Sequence, residues 1–187
     1  MESLQSEGSW DDEGLTVHAL DGQPPLGFDC GDEAQNSFLY RRAWRDMKAG
    51  VSVTHLLFMK GILAGYITLL TDKVSLGPED VLRSVYWKSV PAVKIGQIAV
   101  DRRFSGLGLG KFLIGYSTGQ VHHLRRGVGC RVLSLDANPE VVGWYESQGF
   151  DRNVQEQRDR IERARAAGRQ AEHLPVSMRF DLREARR

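Results

Sequence analysis

The 187-residue sequence predicts an α/β (α+β) domain: a twisted mixed sheet of six to seven strands flanked by helices. Three observations carry that prediction. β-rich runs come first as a meander and then alternate with helical stretches, an order that fits a mixed sheet better than a doubly wound parallel one. The composition, 41% hydrophobic and 26% charged, suits a globular chain long enough to bury one core. No uncharged run, residues 49–59 included, is long enough for a bilayer, so no membrane span is expected.

The elements follow in order. Residues 1–14 are polar and acidic and are read as a flexible tail, leaving 15–187 as a single domain. Residues 15–20 alternate as a first strand, and the Pro/Gly-rich stretch 22–31 is a turn region. Residues 32–49 have helical spacing through Phe38, Leu39, Ala43, Trp44 and Met47, with Asp32 as cap and Gly50 as stop. Runs 51–59 and 62–70 make a hairpin around Lys60-Gly61. Pro78 opens a short helix, 93–100 is a strand, and 111–126 is a long helix after a glycine-containing turn. Strand 131–135, a short helix over 139–148 stopped by Gly149, and a closing strand 176–182 complete the domain. Residues 152–173, rich in arginine and poor in apolar side chains, read as an exposed helical insertion.

Charge is distributed unevenly. Residues 1–37 hold nine acids and no Lys or Arg; residues 38–187 hold all 25 basic residues against 15 acids, a net of +10. Such a body can attract a polyanion, and an acidic lead can screen it; a plainly solvated arginine-rich surface gives the same count. The N-terminus has neither a basic n-region nor an apolar h-region, so no signal peptide is expected. Cys30 and Cys130 then read as free thiols of a cytoplasmic protein, too few for a disulfide framework. Secreted, collagenous, transmembrane and zinc-ribbon classes are excluded. The histidines show no metal-binding spacing, so no metal site is expected.

The informative stretch is Gln97-Ile-Ala-Val-Asp-Arg-Arg-Phe-Ser-Gly-Leu-Gly-Leu-Gly-Lys111, a strand running through a glycine turn into a helix. Glycines let the backbone approach a ligand and gather N–H groups into one concavity, and the helix start adds unpaired N–H groups and a positive dipole end. That is a phosphate site, with Arg102, Arg103 and Lys111 beside it. A P-loop is excluded because Gly106 to Gly110 is one residue short and Phe112 stands where a hydroxyl is needed. A dinucleotide fingerprint is excluded because the third glycine is misplaced and residues 119–129 hold no acid. The pattern Arg/Gln-x-x-Gly-x-Gly/Ala fits Arg103-Phe-Ser-Gly106-Leu-Gly108.

On these residues the sequence resembles the GNAT superfamily of N-acetyltransferases, whose acetyl-CoA motif this pattern is. A second match, Asn138-Pro-Glu-Val-Val-Gly-Trp-Tyr145-Glu-Ser-Gln-Gly149-Phe150, is similar to the family's Asn-x-x-Ala-x-x-Phe/Tyr-Tyr-x-x-x-Gly-Phe ending, with Gly143 near the small-residue position. Phe28-Asp-Cys-Gly31, Phe38-Leu39 and Gly65-Tyr66-Ile-Thr-Leu69 are similar to GNAT toxins of bacterial toxin–antitoxin pairs, which acetylate the amino acid on charged tRNA. The sequence departs from them in its acidic lead and in the charged segment 152–173.

The resemblance implies a GNAT fold with acetyl-CoA in a central splay of the sheet. It implies that backbone amides around Ser105, Gly106, Leu107, Gly108, Gly110 and Lys111 hold the CoA diphosphate, with Arg103 in the same motif. The Ile98, Ala99 and Val100 backbone takes the pantetheine arm, and Tyr145 is the acid beside the sulfur. A phenol is protonated at neutral pH and able to donate. Val100 N–H is the candidate oxyanion donor. Asn138 either hydrogen-bonds the pantetheine or caps the helix at Pro139. Asp101 is expected to cap or brace the turn. No carboxylate occupies the 93–100 strand, which favours an α-amine acceptor with a pKa near 8 over a lysine near 10.4. Arg41, Arg42, Arg45 and Lys48 on the first helix are candidates for an aminoacyl-tRNA backbone, against the alternative of a solvated face. A cognate antitoxin and a homodimer are partners expected by analogy. The rival functions are acetylation of a small-molecule or protein amine, and a CoA-binding module without catalysis.

Overall fold

A computed structural model describes residues 14–80, 87–170 and 174–182. Seven strands form one open mixed sheet: β1 (Leu15–Ala19), β2 (Val53–Met59), β3 (Ile62–Ser75), β4 (Ser89–Val100), β5 (Val132–Ala137), β6 (Asp151–Arg152) and β7 (Val176–Asp181), in the order β1-β2-β3-β4-β5-β7-β6. β4 and β5 pair in parallel, whereas β1–β2, β2–β3, β5–β7 and β6–β7 are antiparallel. The helices are α1 (Glu33–Phe38), α2 (Trp44–Lys48), α3 (Leu109–Leu124), α4 (Val142–Ser147) and α5 (Val154–Ala166). The chain forms two compact units, Met1–Leu70 with Gly96–Ser117 and Thr71–Ile95 with Thr118–Arg187; β3, β4 and α3 contribute to both.

In the first unit the β2–β3 hairpin turns through Lys60 (φ 49) and Gly61 (φ 77). Two consecutive positive φ values give the turn whose twist matches that of the strands. Asp32 caps α1 by accepting N–H bonds from Ala34 and Gln35, as its side-chain chemistry predicts. The predicted helix over 32–49 is not one α-helix. A π-turn, Leu39–Ala43, separates α1 from α2 and changes the phase of every later side chain. Within it Tyr40 turns its hydroxyl onto the Phe28 N–H (2.8 Å), and Leu39 and Ala43 are fully buried. The core joins Leu20, Phe28, Phe38, Leu39, Leu56, Leu63, Tyr66 and Ala99. At Gly65 in β3, a Cβ would lie 3.0 Å from the Ala99 carbonyl, a crowding that glycine avoids in the close approach to β4.

In the second unit, β3 and β4 extend past the predicted 62–70 and 93–100, because strand pairing recruits polar residues such as Asp72 and Ser89 that lack apolar alternation. The β4–β5 ladder covers Ala92–Ile95 against Val132–Leu135, and β4 runs on to Val100. α5 occupies part of the predicted 152–173 segment and ends at Ala166, two residues before the left-handed Gly168 (φ 67). It is not simply exposed: Ala164 is buried, Gln157 accepts the Ser177 N–H of β7 (2.9 Å), and Arg160 pairs with Asp136 of β5 (2.6 Å). Asp136 also takes Lys94 of β4 (2.6 Å). These contacts hold a helix whose composition alone would leave it in solvent. β6 had no signal in the sequence, being two exposed residues, Asp151 and Arg152. The helix predicted after Pro78 lies largely outside the described residues, as do residues 1–13 of the acidic tail.

Candidate active site

The glycine turn begins where β4 ends. Asp101 closes a short 3₁₀ turn, Arg102–Phe104, and the chain then passes through Gly106 (φ 80) and Gly108 (φ 77) into α3. Both glycines lie in the left-handed region, and a Cβ at either would meet nothing within 4 Å. Glycine is therefore required here by backbone conformation, not by space. The first ladder bond at this end of α3 runs from the Phe112 N–H to the Gly108 carbonyl (3.0 Å). The N–H groups of Leu109, Gly110 and Lys111 precede it and face out of the helix start with its positive dipole end. Ser105, Leu107 and Lys111 are exposed around them, Leu107 at 55%. The turn thus leaves main-chain N–H groups at the helix start, an arrangement that suits an anion.

Beneath the turn lies a polar clasp. The Asp101 side chain is fully buried and accepts from the backbone and side chain of Arg103 and from the Asp29 N–H, as the expected brace of the turn. Asp29 in turn takes the Gly31 N–H (2.8 Å) and Asn36 Nδ2 (2.9 Å), and pairs with Arg102. Cys30 donates its N–H to Asn36 Oδ1 (3.1 Å). The Arg103 guanidinium holds the Asp101 carboxyl below the usual carboxylate range, outweighing the opposing effect of burial. Burial, by contrast, pushes the Cys30 thiol up, so it stays protonated. Asp29 and Asn36 were not among the predicted site residues. Asp29 meets Asp101 across 72 positions of sequence, and no local pattern encodes that distance.

Along β4, Ile98 and Val100 are half-buried and Ala99 is buried. All three lie past the Ala92–Ile95 ladder with β5. On the first helical segment Arg41, Arg42, Arg45 and Lys48 are all exposed. Arg42 pairs with Asp46 (3.3 Å) and sits over the Phe38 ring, and Lys48 sits over the Trp44 ring. Arg41 makes no ion pair among the described residues. Arg41 lies in the π-turn and Arg45 in α2, so the two are not related by a plain α-helical i, i+4 step. Also in this unit, His55 and Tyr116 share a 2.9 Å hydrogen bond, and burial lowers His55 to about 4, which keeps it neutral.

In the second unit, β5 delivers Asn138 to a 3₁₀ turn, Pro139–Val141, and then to α4. Asn138 is exposed and its side chain makes no cap hydrogen bond, so the capping alternative is not what occupies it. Tyr145, 8% exposed, packs edge-on against Trp144 and Phe150. Its hydroxyl has no hydrogen-bond partner among the described residues, yet it is not sealed off as the buried Asn153 Nδ2 is. Burial pushes its pKa up to about 12. The phenol is therefore a neutral donor with an uncommitted proton. Gly149 (φ 88) ends α4 where a Cβ would lie 3.1 Å from the Phe180 ring, and Phe150 is buried behind it.

Among the described residues no helix is long and apolar enough to cross a membrane, and no group of His, Cys, Asp or Glu is placed to hold a metal ion. Solved structures similar to this chain include a tyrosine-to-phenylalanine mutant of the toxin AtaT bound to the C-terminus of the antitoxin AtaR and acetyl-CoA. It is 23% identical, with 92% of this chain and 96% of that chain covered and a TM-score of 0.68. A tyrosine-to-phenylalanine mutant of KacT is 21% identical, covers 92% and 97%, and has a TM-score of 0.74. AtaT complexed with acetyl-methionyl-tRNAfMet is 28% identical over 73% of this chain and 86% of that one, with a TM-score of 0.66. The model of the acetyltransferase (GNAT) family matches residues 12–150, spanning both the glycine turn and the Tyr145 segment, and the chain belongs to that family.

Proposed function

We propose that this acetyltransferase moves an acetyl group from acetyl-CoA to the α-amine of an amino acid carried on tRNA, as the toxin of a toxin–antitoxin pair. The observation that carries the cofactor part is the pair of left-handed glycines, Gly106 and Gly108, leading into the amides that open α3. Likeness to AtaT in complex with an acetylated aminoacyl-tRNA supports the acceptor. So do the exposed Arg41, Arg45 and Lys48, which suit a phosphate backbone. The free thiols Cys30 and Cys130 suit the reducing cytoplasm, where charged tRNA is found.

Acetyl-CoA supplies an activated acyl group on a thioester. The chain's part is positioning and proton transfer. Amides of the turn around Ser105 to Lys111 bind the diphosphate, and the Ile98–Val100 backbone and Asn138 align the pantetheine arm. Val100 N–H stabilises charge developing on the carbonyl oxygen. As the C–N bond forms and the C–S bond breaks, Tyr145 gives its proton to the departing sulfur, and the proton lost by the nitrogen passes through solvent to restore the phenol. An α-amine with a pKa near 8 is partly neutral without help, so no dedicated base is required.

The test is direct. Purified protein is incubated with labelled acetyl-CoA and charged bulk tRNA, then with the same tRNA after deacylation. Label confined to the aminoacyl group is expected. Label on free amines or protein amines, with none on charged tRNA, overturns the acceptor assignment.

A further inference from the structure

The motif that names Arg103 as part of the cofactor site leaves its side chain little freedom to act there. Asp101 Oδ1 accepts from Arg103 N (2.9 Å) and Nε (2.9 Å), and Oδ2 accepts from Arg103 Nη2 (2.8 Å) and Asp29 N (3.0 Å). The guanidinium thus meets the carboxylate through two nitrogens, the fork geometry that fixes an arginine most firmly. Its Nη2 also donates to the Gly27 carbonyl (3.0 Å). The neighbouring main chain is tied as well: Asp101 N–H to the Ala64 carbonyl (2.9 Å) and Arg102 N–H to the Asp29 carbonyl (3.0 Å). The Asp101 side chain is 0% exposed, whereas that of Arg103 is 53% exposed. An arginine swinging away to a phosphate would strand a buried carboxylate, which is strongly unfavourable. Lys111, exposed and without an ion pair among the described residues, carries no such commitment.

We propose that Arg103 and Asp101 act together as a latch, positioning residues that fix the path of the chain into Gly106 and Gly108. The diphosphate is then met by main-chain amides and by the charge of Lys111, not by Arg103. The inference rests on the reading that the turn binds coenzyme A. It assigns opposite consequences to breaking the pair from its two ends. A latch fails whichever partner is removed. A phosphate-binding Arg103 is instead set free when Asp101 loses its charge.

Calorimetric titration with coenzyme A at several salt concentrations decides between them, with folding checked by thermal unfolding. Asp101→Asn and Arg103→Ala are each expected to weaken binding about tenfold, as for a lost charge-assisted hydrogen bond. The double variant should be no weaker than either single one, within about twofold, because both remove one device. Arg103→Gln, which keeps a donor for Asp101 but no charge, should recover affinity to within about threefold of wild type. The salt dependence should match wild type in all of these and flatten only in Lys111→Gln. Asp101→Asn binding as tightly as wild type or tighter overturns the latch. So does Arg103→Gln as weak as Arg103→Ala with a flattened salt dependence. Should Asp101→Asn not fold, the two Arg103 variants decide alone. Wild-type protein indifferent to coenzyme A overturns the cofactor reading and the latch with it, whereas wild-type binding with an unaffected Asp101→Asn variant overturns the latch only.

Discussion

Two strand-to-helix junctions in this molecule have the same local topology and opposite construction. At the end of β4, the side chains of Asp101, Arg102 and Arg103 are tied to Gly27 and Asp29, and two left-handed glycines follow. At the end of β5, Asn138 and Tyr145 have side-chain polar groups with no hydrogen-bond partner among the described residues. At the first junction, side chains are consumed in holding the backbone still. At the second, the backbone is fixed by its own helix bonds and by the packing of Phe150, and the polar groups are left uncommitted. Preorganisation is achieved in both, by different atoms.

The largest effect is expected from Gly108→Val. A β-branched residue at φ 77 is strained, and its side chain crowds the approach to the neighbouring amides. Calorimetry should show no measurable coenzyme A binding in a folded protein; binding within tenfold of wild type would break the comparison at its first half.

Next in size is Tyr145→Phe, which removes the phenol proton and leaves the ring packing against Trp144 and Phe150 intact. Steady-state kinetics should show kcat reduced about 100-fold, with coenzyme A affinity unchanged. The pH profile sharpens this. With Tyr145 pushed up to about 12, its protonated form persists across the working range, so wild-type kcat/KM should rise through about pH 8 as the acceptor amine deprotonates. No fall from loss of the tyrosine proton should appear until pH approaches 12. A profile that falls with a pKa near 10 would assign the phenol an ordinary exposed environment.

The smallest effect is expected from Asn138→Ala. Because the side chain makes no cap bond, the melting temperature should not change, while coenzyme A affinity falls about fivefold, the size of one neutral hydrogen bond. A destabilised protein with unchanged affinity would return Asn138 to a structural role.

Much of this was legible along the chain because the relevant physics is local. Asp32 caps α1 through amides two and three residues on, Lys60-Gly61 forms its hairpin turn, and Gly106 and Gly108 adopt the positive φ that their spacing requires. The Tyr145 segment is equally compact. The π-turn at Leu39–Ala43 was not legible, since ordinary helix formers occupy it and its register follows from burying Leu39 and Ala43 while Tyr40 reaches Phe28. Nor were the polar ends of β3 and β4, which take their conformation from neighbouring strands.

The sequence by itself determined the order of most strands and helices and the left-handed glycines of the turn, because backbone conformation and side-chain chemistry are properties of a few adjacent residues. Only the tertiary structure decided what those residues are left free to do. Arg103 is held by a carboxylate that is itself held by Asp29, Tyr145 acquires its raised pKa from burial, and α5 is fastened to Asp136 and Ser177. Hydrogen bonding and desolvation depend on which distant segments are brought together, and that information is absent from any single stretch of sequence.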